Sequence, residues 1–173
     1  MKILKFLSVG LVLAFVVASC DKNDNTNDNG LNATDRNFMT NAAYGNYAEV
    51  DAGQLAAAQG SADSVQQFGA FMVTEHGMAQ ASLDSVASMF SMSLPNTADE
   101  QHQNIKAQLS TMSGYTFDTA YINQQIIDHQ NTINLFNDEI NNGARQEVRD
   151  YASRYLPHLQ MHLQMAQNIQ AKL

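Results

Sequence analysis

The sequence predicts an all-α domain, a four-helix bundle of two antiparallel hairpins joined by one long crossover. Three observations predict it. Four long segments carry apolar residues at alternating steps of three and four, the spacing that lines one face of a helix. Tight turns join the first segment to the second and the third to the fourth, while a long link separates the second from the third. Strand-like β-branched runs are missing beyond the first 20 residues.

The first helix is predicted over Asp35–Gln59, with Thr34 as N-cap. Its stripe runs Phe38, Ala42, Gly45, Glu49, Ala52 and Ala56, and Gly60-Ser61 breaks it. The second is predicted over Ala62–Met92, opened by Asp63 with Gln66 in a cap-like D-x-x-Q start. Its stripe runs Val65, Gly69, Met72, His76, Ala79, Leu83, Val86 and Phe90, and Leu94-Pro95-Asn96 ends it. The crossover spans Ser93–Thr116. It holds a short helical piece opened by a Thr97-x-x-Glu100 capping box and lined by Ile105, Leu109 and Met112.

The third long helix is predicted from Phe117-Asp118 to Asn141. Its stripe is Ile122, Ile126, His129, Ile133, Phe136 and Ile140, with an Asn142-Gly143 stop. The fourth runs from Arg145 to the C-terminus, with Val148, Tyr151, Tyr155, His158, His162, Met165 and Ile169 on one face. Pro157 lies inside it and is expected to kink it or weaken one turn beside His158. Two hairpins joined by one long crossover is the ferritin-like arrangement. A faint repeat agrees with it. Gly60-x4-Val65-x2-Phe68 echoes Gly143-x4-Val148-x2-Tyr151, and the same offset brings Glu75 level with His158.

Residues 1–19 read as a targeting segment. Lys2 and Lys5 form a basic start, Ile3–Val17 is an almost unbroken apolar run, and Val17-Ala18-Ser19-Cys20 follows. The apolar run is short for a retained transmembrane helix. Small residues directly before the chain's single cysteine resemble the bacterial lipobox, which implies a lipoprotein signal peptide and lipidation of Cys20. Several acyl chains give stable membrane anchoring. Residues 20–33 are rich in Asn and Asp and nearly free of apolar residues, so they read as the lipidated cysteine and a disordered tether. Residues 34–173, about 140, suit one bundle domain. Removing Lys2 and Lys5 takes Lys+Arg from 9 to 7 against 17 Asp+Glu, a formal charge of about −10. With no basic stripe, nucleic acid is not an expected partner.

The stripes carry one glutamate and four histidines where a core should be. Glu49, His76, His129, His158 and His162 all lie near the midpoints of their helices, so a bundle brings them to one level. Burying such groups is costly unless they are paired, hydrogen-bonded or bound to a metal. Imidazole with carboxylate suits iron, zinc, copper or manganese, and the i,i+4 spacing of His158 and His162 lets both reach one ion. Glu75 and Asp128, each just before a histidine, are expected to flank the site and orient the ligands. The competing reading is a metal-free network of buried Glu and His joined by charge-assisted hydrogen bonds. A small-molecule pocket or a pH-responsive core stays open beside both. Di-iron bundles use a Glu from each of two helices and Glu-x-x-His from the others. Here Glu75-His76 and Asp128-His129 are adjacent pairs, so no ferroxidase chemistry is carried over. His102 lies on the polar crossover and is expected to be solvent-exposed. The helical methionines read as core filler. No phosphate loop, nucleophile elbow or Cys-x2-Cys occurs, so no reaction is assigned.

Several motifs resemble one bacterial envelope family. They are Glu49-Val50-x-x-Gly53-x-Leu55-Ala56, Phe71-Met72-Val73-x-Glu75-His76, Leu94-Pro95, Phe117-Asp118-x-x-Tyr121, Asp128-His129 and Leu156-Pro157-x-x-x-x-His162-Leu163. In that order, over Asp35–Leu173, they are similar to the domain of unknown function 4142, also labelled predicted outer membrane protein. The resemblance implies a ferritin-like bundle and an outer-membrane-anchored lipoprotein facing the periplasm or the cell surface, and no established activity. The family pattern has Asp where Glu75 stands, and it matches His162 better than His158.

Overall fold

The computed structural model describes residues 30–173. The expected signal peptide, Cys20 and the tether up to Asn29 lie outside the described residues. Those described form five helices: α1 (Ala33–Gln59), α2 (Asp63–Met89), α3 (Glu100–Ser110), α4 (Gly114–Asn142) and α5 (Gln146–Gln170). The chain is a ferritin-like four-helix bundle with α3 in the crossover. α1 packs against α2 and α4, and α5 packs against α4 and α2. α3 lies on the seam of α1 and α4. No described helix is long and apolar enough to cross a membrane.

The two hairpins are clamped by a reciprocal pair of aspartates. α2 has no side-chain cap of its own at Ala62, so the expected Asp63/Gln66 cap is not what starts it. The Asp118 carboxylate of α4 accepts from Ser61 N and Ala62 N, both at 2.8 Å. Gln66 instead donates to Gly60 O at 2.7 Å. At the other end Arg145 offers no side-chain cap to α5. There Asp35 Oδ1 of α1 accepts from Ala144 N at 2.9 Å and Arg145 N at 3.2 Å. Asp35 and Asp118 stand at the same offset as Gly60 and Gly143, so the faint sequence repeat is a repeat of structure. The clamps also set direction: α4 starts beside the α1–α2 turn and α5 starts beside the beginning of α1. Hence α1 and α5 run one way and α2 and α4 the other.

Several boundaries move for local reasons. α1 is capped by Asn32, in a capping box with Asp35, not by Thr34. Leu31, read from sequence as tether, is only 2 % exposed and joins the core. α2 stops at Met89. Met92 N bonds Ala87 O, Ser91 N bonds Ser88 O, and Ser91 takes φ 52°, the left-handed hydrogen-bonded stop that satisfies the last carbonyls. α3 is capped by Asp99, which accepts from His102 N at 3.0 Å, not by Thr97. α5 runs through Pro157 as one helix, losing the backbone bond that a proline nitrogen cannot donate.

The core divides into two apolar clusters. One holds Phe38, Met39, Leu83, Phe136, Val148 and Tyr151. The other holds Val65, Phe68, Met72, Phe117, Tyr121 and Ile122. In every long helix buried polar residues lie between the two clusters: Asn46 and Glu49, His76 and Gln80, Gln125 and His129, and His162. α1 and α2 approach closely where Gly53 faces Gly69. A Cβ on Gly69 would stand 2.7 Å from Gly53 O, so only glycine permits this contact.

Glu139 of α4 is fully buried beside the Asp35 clamp. Burial first, and then the neighbouring Asp35 carboxylate, push its pKa up to about 8. A folded pKa above the unfolded value means that its contribution is complete below about pH 4.5 and is lost as pH rises towards 8. Glu139→Gln keeps the shape without the titration. It is therefore expected to match wild type near pH 4.5 and to exceed it in stability at pH 9. Urea unfolding at the two pH values reads the difference, and equal stability at pH 9 would count against the buried carboxyl.

Candidate metal centre

Three of the sequence-selected side chains converge in the polar layer. His76 of α2, His129 of α4 and His162 of α5 are 5, 1 and 2 % exposed. Their ring centroids lie 5.4–5.7 Å apart. One nitrogen from each lies within 4.8 Å of the others, a group able to hold a metal ion.

The hydrogen bonds around the trio decide where its lone pairs point. A carboxylate only accepts, so Gln80 Nε2 donates to Asp84 at 2.8 Å. Gln80 then presents its oxygen to Asn46 Nδ2 at 3.2 Å. Asn46 in turn presents its oxygen to His76 Nδ1 at 3.0 Å. The proton of His76 therefore sits on Nδ1, and its Nε2 is a lone pair, buried and without a partner. His129 Nδ1 lies 2.9 Å from the Gln125 carbonyl. A carbonyl only accepts, so the neutral His129 ring has its lone pair on Nε2. That nitrogen stands 3.4 Å from His162 Nδ1. Two nitrogens at about 2.05 Å from one tetrahedral ion lie about 3.4 Å apart. His162 Nε2 has no hydrogen-bond partner and lies 3.9 Å from Glu75 Oε2. A proton directed at that carboxylate turns the Nδ1 lone pair inward as well. Outer partners of this kind fix tautomer and ring orientation in metal sites.

Electrostatics disfavour the charged forms of His76 and His162. Burial, then the neighbouring His129 and His162, hold His76 well below the ordinary histidine range. Burial, then His129 and His158, bring His162 down to about 3. Neutral imidazole is the form that binds metal. Without an ion, each unpartnered buried nitrogen costs about 1–3 kcal/mol. The cavity against His76 and His162 measures about 10 Å³, close to the least that holds one water. Three protein nitrogens match three of the four positions of a four-coordinate ion.

Two residues proposed as ligands from sequence fall outside the trio. Glu49 is buried but faces the opposite side of His129. Its Oε2 accepts from Gln125 Nε2 at 2.7 Å, and its Oε1 is 3.6 Å from His129 Nδ1. Burial raises its pKa, although His129 and Gln125 oppose the shift. His158 lies on the surface with a 46 % exposed side chain, and its Nδ1 is 2.9 Å from Glu75 Oε2. The buried residue on that turn is Leu159, one position or about 100° further round. Glu75 does flank the site, but Asp128 does not. Asp128 accepts from Gln124 and faces His102 Nε2 at 3.7 Å. His102 is not free in solvent: its Nδ1 is 2.7 Å from Asp99. The two carboxylates, Asp128 first, push it up to about 9, so its charge pins α3 to α4. The relay amides Asn46, Gln80 and Gln125 were not singled out from sequence. Their signal was present in the His76-x3-Gln80-x3-Asp84 row and in amides on otherwise apolar faces.

A search of curated proteins finds no match to the chain. Among solved structures the chain is similar to a crystal structure of a DUF305 fragment from Deinococcus radiodurans, with a TM-score of 0.73 and 11 % identity. The match covers 83 % of this chain and 99 % of that one, and at this identity it speaks to the fold alone. The family model of the domain of unknown function (DUF4142) matches residues 21–169, and the chain belongs to that family.

Proposed function

We propose that this is a lipid-anchored envelope protein whose bundle binds one transition-metal ion, iron, zinc or copper, through His76, His129 and His162. One observation carries the metal reading. Three buried imidazoles bring one nitrogen each within 4.8 Å of the others, and the hydrogen bonds of His76 and His129 place a ring proton of each on Nδ1. A metal-free network, the alternative reading, would leave His76 Nε2 buried without a partner. The water-sized cavity suits holding an ion more than turning over a large substrate. The anchoring rests on the Val17-Ala18-Ser19-Cys20 motif after an apolar run, and the acidic Asn/Asp-rich stretch that follows suits a tether.

The test starts from residues 21–173 purified without a metal-affinity tag. Mass spectrometry of bound metals, followed by titration with iron, zinc and copper, is expected to show one equivalent bound more tightly than about 1 μM. Binding of all three weaker than about 1 mM rejects the metal reading. In the full chain, labelled palmitate is expected in wild type and absent from Cys20→Ala. Equal labelling removes the anchor.

A further inference from the structure

The trio is sealed, so an ion needs a way in. Depressions approach the polar layer on two sides. On one, two of about 330 and 20 Å³ are lined by Glu49, His102 and Asp128 but by none of the trio. On that side His129 turns only its Nδ1, committed to the Gln125 carbonyl. A third lies in the seam of α2 and α5, where His76 and His162 form its wall together with Glu75, Tyr155 and His158.

The outer end of that seam carries a mixed donor pair. The same Glu75 oxygen stands 2.9 Å from the exposed His158 Nδ1 and 3.9 Å from the buried His162 Nε2. It is thus shared between an imidazole in solvent and one in the trio. Beside it Ser82 Oγ and Tyr155 OH, 2.7 Å apart, cross the same seam. Tyr155 OH also reaches Met78 O at 3.5 Å, and each of these contacts has a side chain on the α5 side, so rotamer changes there open the seam without moving a helix. The space within is about 10 Å³, so passage requires such a swing.

We infer that Glu75 and His158 form an outer cation site through which a divalent transition-metal ion reaches and leaves the trio, with Glu75 turning from His158 towards His162 as it passes the ion inward. This rests on the metal reading above. Carboxylate with one imidazole binds such ions more weakly than three imidazoles, as a transit site must. A carboxylate at the mouth also draws cations against the low dielectric of the seam.

The experiment is stopped-flow mixing of residues 21–173 with zinc, and release of zinc to excess chelator. Glu75→Gln is expected to slow association by at least about tenfold and to weaken equilibrium binding by about tenfold, the cost of losing the outer partner of His162. Asp51→Asn makes the same charge change at the surface of α1, where Asp51 pairs with Lys106, and is expected to leave both rates alone. Zinc binding in wild type with rates insensitive to Glu75→Gln overturns the route alone. Weaker binding with unchanged association overturns it too, since Glu75 would then be a resident ligand. A wild-type chain that takes up no zinc overturns the metal reading and the route together.

Discussion

His129→Ala is expected to weaken metal binding by at least about 100-fold, more than the loss of an outer partner costs. His129 faces both other members of the trio, with its ring centroid 5.7 Å from that of His76 and 5.4 Å from that of His162. Its removal leaves two imidazoles and no third protein ligand. The apo fold should tolerate the change better than the holo fold, because the Gln125 carbonyl that takes the His129 proton lies inside α4 and keeps its helical partner. Thermal unfolding with and without metal separates the two effects. At a hundredfold excess over its dissociation constant a metal adds about 2.7 kcal/mol to wild type, and the variant should gain almost none. Glu49→Gln offers the contrast. Glu49 touches the far side of His129 and the Gln125 amide, so its loss should cost about tenfold or less in affinity. If the losses ran the other way, Glu49 would be the ligand and His129 a structural residue.

Phe38→Ala is expected to cost about 3–5 kcal/mol of stability. Phe38 is 1 % exposed. It meets Phe136 edge-on at 4.8 Å and Tyr151 at 6.0 Å, tying α1 to α4 and α5 at one point. Three helices cannot all close on the space left by its ring, so most of the cavity would remain. Against a total of about 5–15 kcal/mol for a domain, that loss is large. Tyr151 also stands 3.4 Å from Asn46 Nδ2, so the packing beneath the site supports the amide that orients His76. Urea unfolding of residues 21–173 measures the cost, and a loss below about 1 kcal/mol would mean that the site collapses freely.

Much of the fold was legible in the chain because helical periodicity is a local property. The steps of three and four in Val65, Gly69, Met72, His76 and Ala79 define a face whatever packs on it. The turn chemistry at Gly60 and Gly143, with the long stretch between Phe90 and Ser113, was enough for two hairpins and a crossover. The mid-helix positions of His76, His129 and His162 likewise placed them at one level. Boundaries were less legible wherever a partner distant in sequence supplies the cap. α2 and α5 begin where they do because Asp118 and Asp35 reach across from the other hairpin.

The sequence by itself determined four amphipathic helices, their pairing, and a layer of histidines in the middle of an apolar interior. Only the tertiary structure decided which of those residues meet. A stripe resolves a helix face to about 100° per residue, so it could not separate His158, on the surface, from the neighbouring Leu159 in the core. Nor could it show that Glu49 lies behind His129 and not before it. The lone-pair directions depend on a relay running from Asp84 through Gln80 to Asn46 and His76. That relay joins α2 to α1 and back, and contacts between helices are set by packing, which no single segment encodes.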